Sequence, residues 1–301
     1  MSQNHRLLVG RDHYALKVHR PPMDAARVRE MHRVMSFAAR QGIPVAEPLL
    51  TQVVAGYVCS IYAFARGTHP GKYRGTHAHA EAMGDMLGRM HVVLDEFHST
   101  DPKPDAAALW KLVRPSAALA QVERLRVSLV GHDRGVRIEI GRTLDAYEKL
   151  FRSEHWRGGR CQDLAIAVCH GDFHSGNILL CGDSITAVLD WEKAGWDFRC
   201  GEVCSSLIFN CRENSSELHW PRIATYLRAY RRHRALDDIP GGFLLKSCFS
   251  SYVLGLWTIE QYLGGRRDYR SCIAGRLVMA QRLATYRREY SRRIAELCAR
   301  G

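Results

Sequence analysis

Through the first 64 residues apolar positions recur mainly at every second place, the period of strands. His5–Val9 and His13–His19 flank the turn Gly10-Arg11-Asp12 and predict a β-hairpin. Pro21 and Pro22 break the pattern, and Asp24 then caps a predicted helix running to about Arg40. Val28, Met31, Val34, Met35 and Ala38 fall on one face of that helix, and Gly42 ends it. Val45–Thr51 and Gly56–Tyr62 predict two further strands, followed by a loop at Arg66–Gly71. The period then changes to 3.6 residues. Helices are predicted over His79–Leu94, Ala106–Leu129 and Val136–Phe151, with a loop at Asp95–Pro104. A second strand-rich patch comprises Ile166–Cys169, Ile178–Leu180 and Ile185–Leu189. Beyond residue 200 only helices are predicted: Glu202–Asn210, Arg222–Arg234, Leu244–Leu263 and Ala274–Cys298. This order predicts an α+β fold of two lobes with a cleft between them. The small β-rich N-terminal lobe spans 1–64 and the larger helical lobe 65–301, with strands inserted late.

Composition narrows the function classes. A hydrophobic fraction of 46% with 25% charged residues suits a globular chain with a sizeable core. No run approaches the roughly 18 apolar residues of a membrane span. The start MSQNHRLLVGRDHYALKVHR is too charged for a secretory signal, so a cytoplasmic protein without membrane contact is expected. The ten cysteines form no CxxC pair, and Cys200, Cys204 and Cys211 with His170 and His174 match no zinc spacing. Reduced, mostly buried thiols are expected instead. The net charge of +12 is concentrated late, since residues 221–301 hold 16 Lys and Arg against 6 Asp and Glu. That stretch is either a solvated helical face or an attraction for something anionic. No zinc finger, RRM signature or basic–aromatic repeat points to nucleic acid. Gly67–Lys72 is one residue short of a P-loop and is followed by Tyr73 where Ser or Thr is required. Neither GxSxG nor HExxH is present.

The densest polar cluster is Cys169-His170-Gly171-Asp172-Phe173-His174-Ser175-Gly176-Asn177, bracketed by apolar strands and therefore presented on a rigid loop. Thirteen residues past Asn177, Asp190 ends an apolar strand in Val188-Leu189-Asp190-Trp191-Glu192. Phosphoryl transfer needs few protein groups: a carboxylate for the acceptor hydroxyl, oxygen ligands for Mg²⁺, a Lys on the phosphates and a Glu to hold that Lys. Asp172, Asn177 and Asp190 supply the first two kinds in order. Lys17, central in the second strand, and Glu30, inside the following helix, supply the rest.

The segments HGDFHSGNILL and AVLDWEKAGW resemble the catalytic loop (169–180) and metal-binding strand (185–192) of the aminoglycoside phosphotransferase, choline kinase and homoserine kinase-like family, which shares the protein-kinase fold. YALKV and the helix bearing Glu30 resemble its Lys and Glu elements, and MGDMLGRMH its first large-lobe helix. The resemblance implies ATP and Mg²⁺ as cofactors, Asp172 as catalytic base, Asn177 and Asp190 as metal ligands, and Lys17 as a phosphate contact. It also implies adenine contacts from the backbone near Ser60, Ile61, Tyr62 and Ala63. His170 and His174 complete the cofactor-side set, His170 by tying the loop down; His174, with Ser175, is also a candidate acceptor contact. Two departures stand out. The family's first strand and phosphate-covering glycine loop read as truncated or missing, since Gly10 is the only glycine in the first 41 residues, so another element or a partner protein is expected to cover the nucleotide, or the biological start differs from Met1. Glu202 stands where relatives usually carry an Asp that buttresses the loop. The basic C-terminal region favours a neutral or anionic acceptor over a polycation. The expected activity is transfer of the ATP γ-phosphate to a small-molecule alcohol or to Ser/Thr of a precursor peptide, as in class V lanthipeptide or thioamitide pathways; a pseudokinase-like binding module is the alternative.

Overall fold

A computed structural model describes residues 3–19, 23–71, 75–106, 108–109, 115–153, 164–214, 216–237 and 255–299. Its first element is the predicted hairpin, β1 (Gln3–Val9) and β2 (Asp12–Val18), closed where Gly10 takes φ +64°. With β3 (Pro48–Val54) and β4 (Tyr57–Ala63) it forms a four-stranded antiparallel sheet in the order β1-β2-β4-β3. Helix α1 (Ala25–Arg40) starts at Asp24, whose carboxylate accepts Arg27 N–H at 2.8 Å. The predicted residues Val28, Met31, Val34, Met35 and Ala38 are its buried face.

Strand β3 begins later than the sequence pattern predicts, because the chain before it is used elsewhere. Val45 bridges Val188, and the Pro44 carbonyl accepts Val188 N–H at 2.7 Å. Residues 44–45 thereby fasten the sheet lobe to the region bearing Asp190.

The larger part is mainly helical. Helix α2 (His77–Asp95) packs on α6 (Trp220–Arg231) backbone to backbone. A Cβ on Gly84 would lie 2.2 Å from the Tyr226 carbonyl oxygen, and one on Gly88 would lie 2.8 Å from that of Tyr230. Only glycine permits that approach. Helices α3 (Pro115–Ser128), α4 (Arg134–Arg152), α7 (255–263) and α8 (Arg270–Thr285) share a second apolar cluster that includes Val122, Ile140, Leu144, Leu256 and Ile259. The single long helix predicted over Ala274–Cys298 is instead α8 and α9 (Arg287–Ala299), broken at Tyr286 so that Tyr290 meets Trp220 edge-on. Parts of two predicted helices, at 107, 110–114 and 244–254, lie outside the described residues.

Between these helices lie β5 (Ile166–Cys169) paired with β8 (Gly195–Phe198), and β6 (Ile178–Cys181) paired with β7 (Ser184–Val188). Helix α5 (Arg199–Asn210) follows β8. The architecture is α+β, with a small sheet lobe and a larger, mostly helical one, as predicted. Among the described residues no helix is long and apolar enough to cross a membrane.

Candidate active site

Strands β5 and β6 belong to different sheets, so residues 170–177 must cross from one to the other. Gly171 makes the crossing possible. It takes φ +80°, and a Cβ there would meet the Lys193 carbonyl oxygen at 2.5 Å. Glu202, buried in the first turn of α5, accepts His170 N–H at 3.1 Å and Gly171 N–H at 2.6 Å. The same carboxylate accepts His91 Nε2–H at 3.0 Å, while His91 Nδ1 pairs with the Tyr230 hydroxyl at 2.8 Å. Burial works to raise the Glu202 carboxyl, but the His91 hydrogen bond and charge, with His170 and Gly171, outweigh it and hold the group below its ordinary value. Glu202 is thus the buttress of the loop.

His170 accepts Asp172 N–H at Nδ1 (3.2 Å) and donates from Nε2 to the Leu189 carbonyl (2.9 Å), with its ring edge-on against Trp191. It is fully buried. It fixes the loop, the role the resemblance implied for it. Asp172 projects from the fixed loop with Oδ2 3.0 Å from Lys193 Nζ and Oδ1 3.7 Å from His174 Nε2.

Asn177 donates from Nδ2 to the Asp172 carbonyl at 2.9 Å, and its own carbonyl accepts Leu189 N–H at 2.7 Å. The next residue, Asp190, has left-handed backbone (φ 59°, ψ 61°), a region Asp tolerates better than most. Its Oδ1 lies 2.8 Å from Lys17 Nζ. The structure therefore brings Asp172, Asn177, Asp190 and Lys17 into one neighbourhood at the junction of sheet and helices.

Glu30 is not part of it. Its carboxylate is taken by Arg33 (2.5 Å), Ser99 Oγ (2.9 Å) and Thr100 N–H and Oγ1 (3.0 and 2.8 Å). Burial alone would raise this carboxyl, and the bonds from Thr100, Ser99 and Arg33 hold it below the usual range. The acid that meets Lys17 besides Asp190 is Glu192, at 2.9 Å. A glutamate two residues past Asp190 sits on the same tight turn, and no helical periodicity marks it.

The residues expected to meet adenine are engaged within the sheet. β4 lies between β2 and β3, so the backbone groups of Ser60, Ile61 and Tyr62 are spent in two ladders, and Ala63 N–H goes to the Glu47 carbonyl at 2.9 Å. Their side chains serve inside the sheet lobe. Ser60 Oγ meets His19 Nε2 at 2.9 Å and Thr51 Oγ1 at 3.1 Å, and the Tyr62 hydroxyl meets His32 Nε2 at 2.8 Å. The first backbone past the ladder is 64–66. His174 accepts Gly176 N–H at Nδ1 (3.0 Å) and packs on Phe209, on the Asp172 side of the loop.

Burial lowers His170, His174 and His32, the last to about 4 with help from His19. Each is favoured neutral in the fold. The stability this contributes is complete above the ordinary histidine value of about 6.5 and is lost as pH falls below it. The melting temperature is expected to hold from pH 8 to 7 and to fall steadily from pH 6.5 to 5; a profile flat down to pH 5 would contradict the burial argument.

Asn177 and Asp190 offer an amide and a carboxylate oxygen, the donor types a hard divalent cation takes. Asn177 Nδ2 is engaged by the Asp172 carbonyl, which leaves the amide oxygen as the atom suited to a metal. Among the described residues a thiol-containing set, His91, Cys169 and Glu202, also clusters, but two of its members are joined to each other by the loop-buttressing bond.

Residues 2–236 match the model of the phosphotransferase enzyme family. The homoserine kinase of Afipia carboxidovorans is 23% identical over 243 residues, covering 79% of this chain and 69% of that protein. The homoserine kinase of Brucella melitensis biotype 2 is 26% identical over 222 residues, covering 70% and 61%. The chain thus spans about three-fifths to two-thirds of the length of these relatives. Among solved structures, an amicoumacin kinase in complex with AMP-PNP and Ca²⁺ superposes with a TM-score of 0.61 at 16% identity, covering 96% of this chain and 86% of that one. Choline kinase from Cryptosporidium parvum gives 0.58 at 12%, covering 99% and 93%. These likenesses show the fold, and the family match with the loop and strand described above shows the lineage: the chain belongs to the phosphotransferase enzyme family.

Proposed function

We propose that the protein is an ATP-dependent O-phosphotransferase whose acceptor is a small neutral or anionic alcohol. One observation carries the reading: Asp172, Asn177 and Asp190 are linked through consecutive short hydrogen bonds to a strand end that also meets Lys17. In the reaction the acceptor oxygen attacks the γ-phosphorus as its proton passes to the Asp172 carboxylate. The bond from that phosphorus to the β–γ bridging oxygen breaks, and ADP leaves. Lys17 steadies the phosphates, and Asn177 and Asp190 would hold Mg²⁺, which neutralises developing phosphate charge. β1 supplies the cover that a glycine loop would give: Asn4 is the ladder partner of Lys17 and shares its face of the sheet, and Arg6 is the partner of Ala15. The backbone of 64–66 is the adenine-reading segment. Small alcohols are preferred over peptide hydroxyls because the matched relatives are named for homoserine.

A thermal-shift titration with Mg-ATP followed by a phosphate-transfer screen over small alcohols and Ser/Thr peptides tests this. Saturable binding with transfer to a small alcohol is expected; binding with transfer to nothing would support the binding-module reading, and transfer to peptides alone would change the acceptor class. Lys17→Met is expected to raise KM for Mg-ATP about tenfold or more, through loss of a charge-assisted contact. An unchanged KM in steady-state assays would remove Lys17 from the nucleotide site.

A further inference from the structure

Lys193 is unaccounted for by the reaction as described, yet it is the basic side chain nearest Asp172 among the described residues, with Nζ 3.0 Å from Oδ2. As a surface ion pair it would add little stability, because its side chain is 61% exposed. Its position is nevertheless held from several directions. The Gly171 Cα packs against the Lys193 backbone so closely that no side chain fits between them. Arg27 donates to the carbonyls on either side, Glu192 at 3.4 Å and Ala194 at 2.5 Å. Trp191, which opens the turn, is buried and donates to the Val188 carbonyl at 3.0 Å. Asp190 and Glu192 of this segment turn toward Lys17, whereas Lys193 turns toward Asp172. The segment therefore presents two acids to the phosphate side and one cation to the acceptor side.

We propose that Lys193 is a specificity-determining residue: its ammonium binds an anionic group, a carboxylate or a phosphate, carried by the acceptor a few bonds from the reacting hydroxyl. The inference rests on the phosphotransferase reading above and names the acceptor class for that site. An exposed lysine head can exchange its contact with Asp172 for one with the incoming acceptor while its backbone stays fixed. The close spacing of ammonium and base suits a short acceptor. The cationic groups of a polyamine would be repelled by the same ammonium.

The test compares matched acceptors that share hydroxyl and amine and differ in the acid group, L-homoserine and 3-amino-1-propanol first, then serine and ethanolamine and a phosphate-bearing alcohol with its unphosphorylated partner. The wild-type protein is expected to favour the anionic member of at least one pair by about ten- to a hundredfold in kcat/KM, the scale of one charge-assisted contact. Lys193→Met should erase that preference by raising KM for the anionic member far more than for the neutral one, with little change in KM for Mg-ATP. Lys193→Arg should keep it. A wild-type preference for the neutral members, an unaltered ratio in Lys193→Met, or an equal fall in kcat for both members would each overturn the assignment while leaving phosphotransfer standing. Failure of transfer to every acceptor tested would overturn the phosphotransferase reading and this inference with it.

Discussion

Asp172→Asn is expected to lower kcat for phosphoryl transfer by about 10²–10⁴-fold, the range set by loss of a positioned general base. The amide cannot take the proton, but it retains the shape of the carboxylate. Binding of Mg-ATP should survive, because Lys17, Asn177 and Asp190 are untouched and the Asp172 backbone bonds to His170 and Asn177 do not involve its side chain. The melting temperature should move little, since the side-chain partners are Lys193 and His174, both near the surface of the cleft. Rapid-quench or coupled assays beside a thermal-shift titration measure both halves. Transfer at wild-type rates would remove Asp172 from the chemistry.

The second large effect lies out of reach of any substrate. Glu202→Ala leaves the N–H groups of His170 and Gly171 without their carboxylate and strands His91 in the core. Removing one partner from a buried pair costs about 3–5 kcal/mol. For a protein of this size that corresponds to a fall in melting temperature on the order of 10 °C. Activity should fall together with stability, because the loop carrying Asp172 loses its anchor. Glu202→Asp is the informative control. A shorter acid can recover one of the bonds and should restore part of both properties, whereas full activity in a stable Glu202→Ala protein would show that the loop holds itself.

The grouping of the loop at 170–177 with the strand after it was readable because it is local in sequence. Asp172, Asn177 and Asp190 are joined by short connections, and the apolar strands around them fix their relation. The hairpin and α1 were readable for a similar reason, having Gly10 at a turn and Asp24 at a cap. What periodicity missed was set by tertiary partners. β8 has four residues and exists only because β5 offers it a ladder. Ser60 to Tyr62 look available for a ligand until the sheet order shows them between two neighbours. The choice of Glu192 over Glu30 as the partner of Lys17 is the sharpest case. Both are glutamates with a plausible spacing, and the difference is that Ser99 and Thr100 come down on Glu30 from a loop seventy residues away.

The contact between α2 and α6 reaches further than its own two helices. Tyr230 meets α2 at Gly88 itself and His91 stands one turn further along that helix, and through them the spacing of two helix axes is handed to Glu202 and then to the peptide bonds beside Asp172. The relay ends on two adjacent N–H groups, those of His170 and Gly171. A methyl group at position 84 or 88 would have to be absorbed along it, so the tolerance of the reaction centre to misplacement is written into a pair of residues that carry no functional group at all.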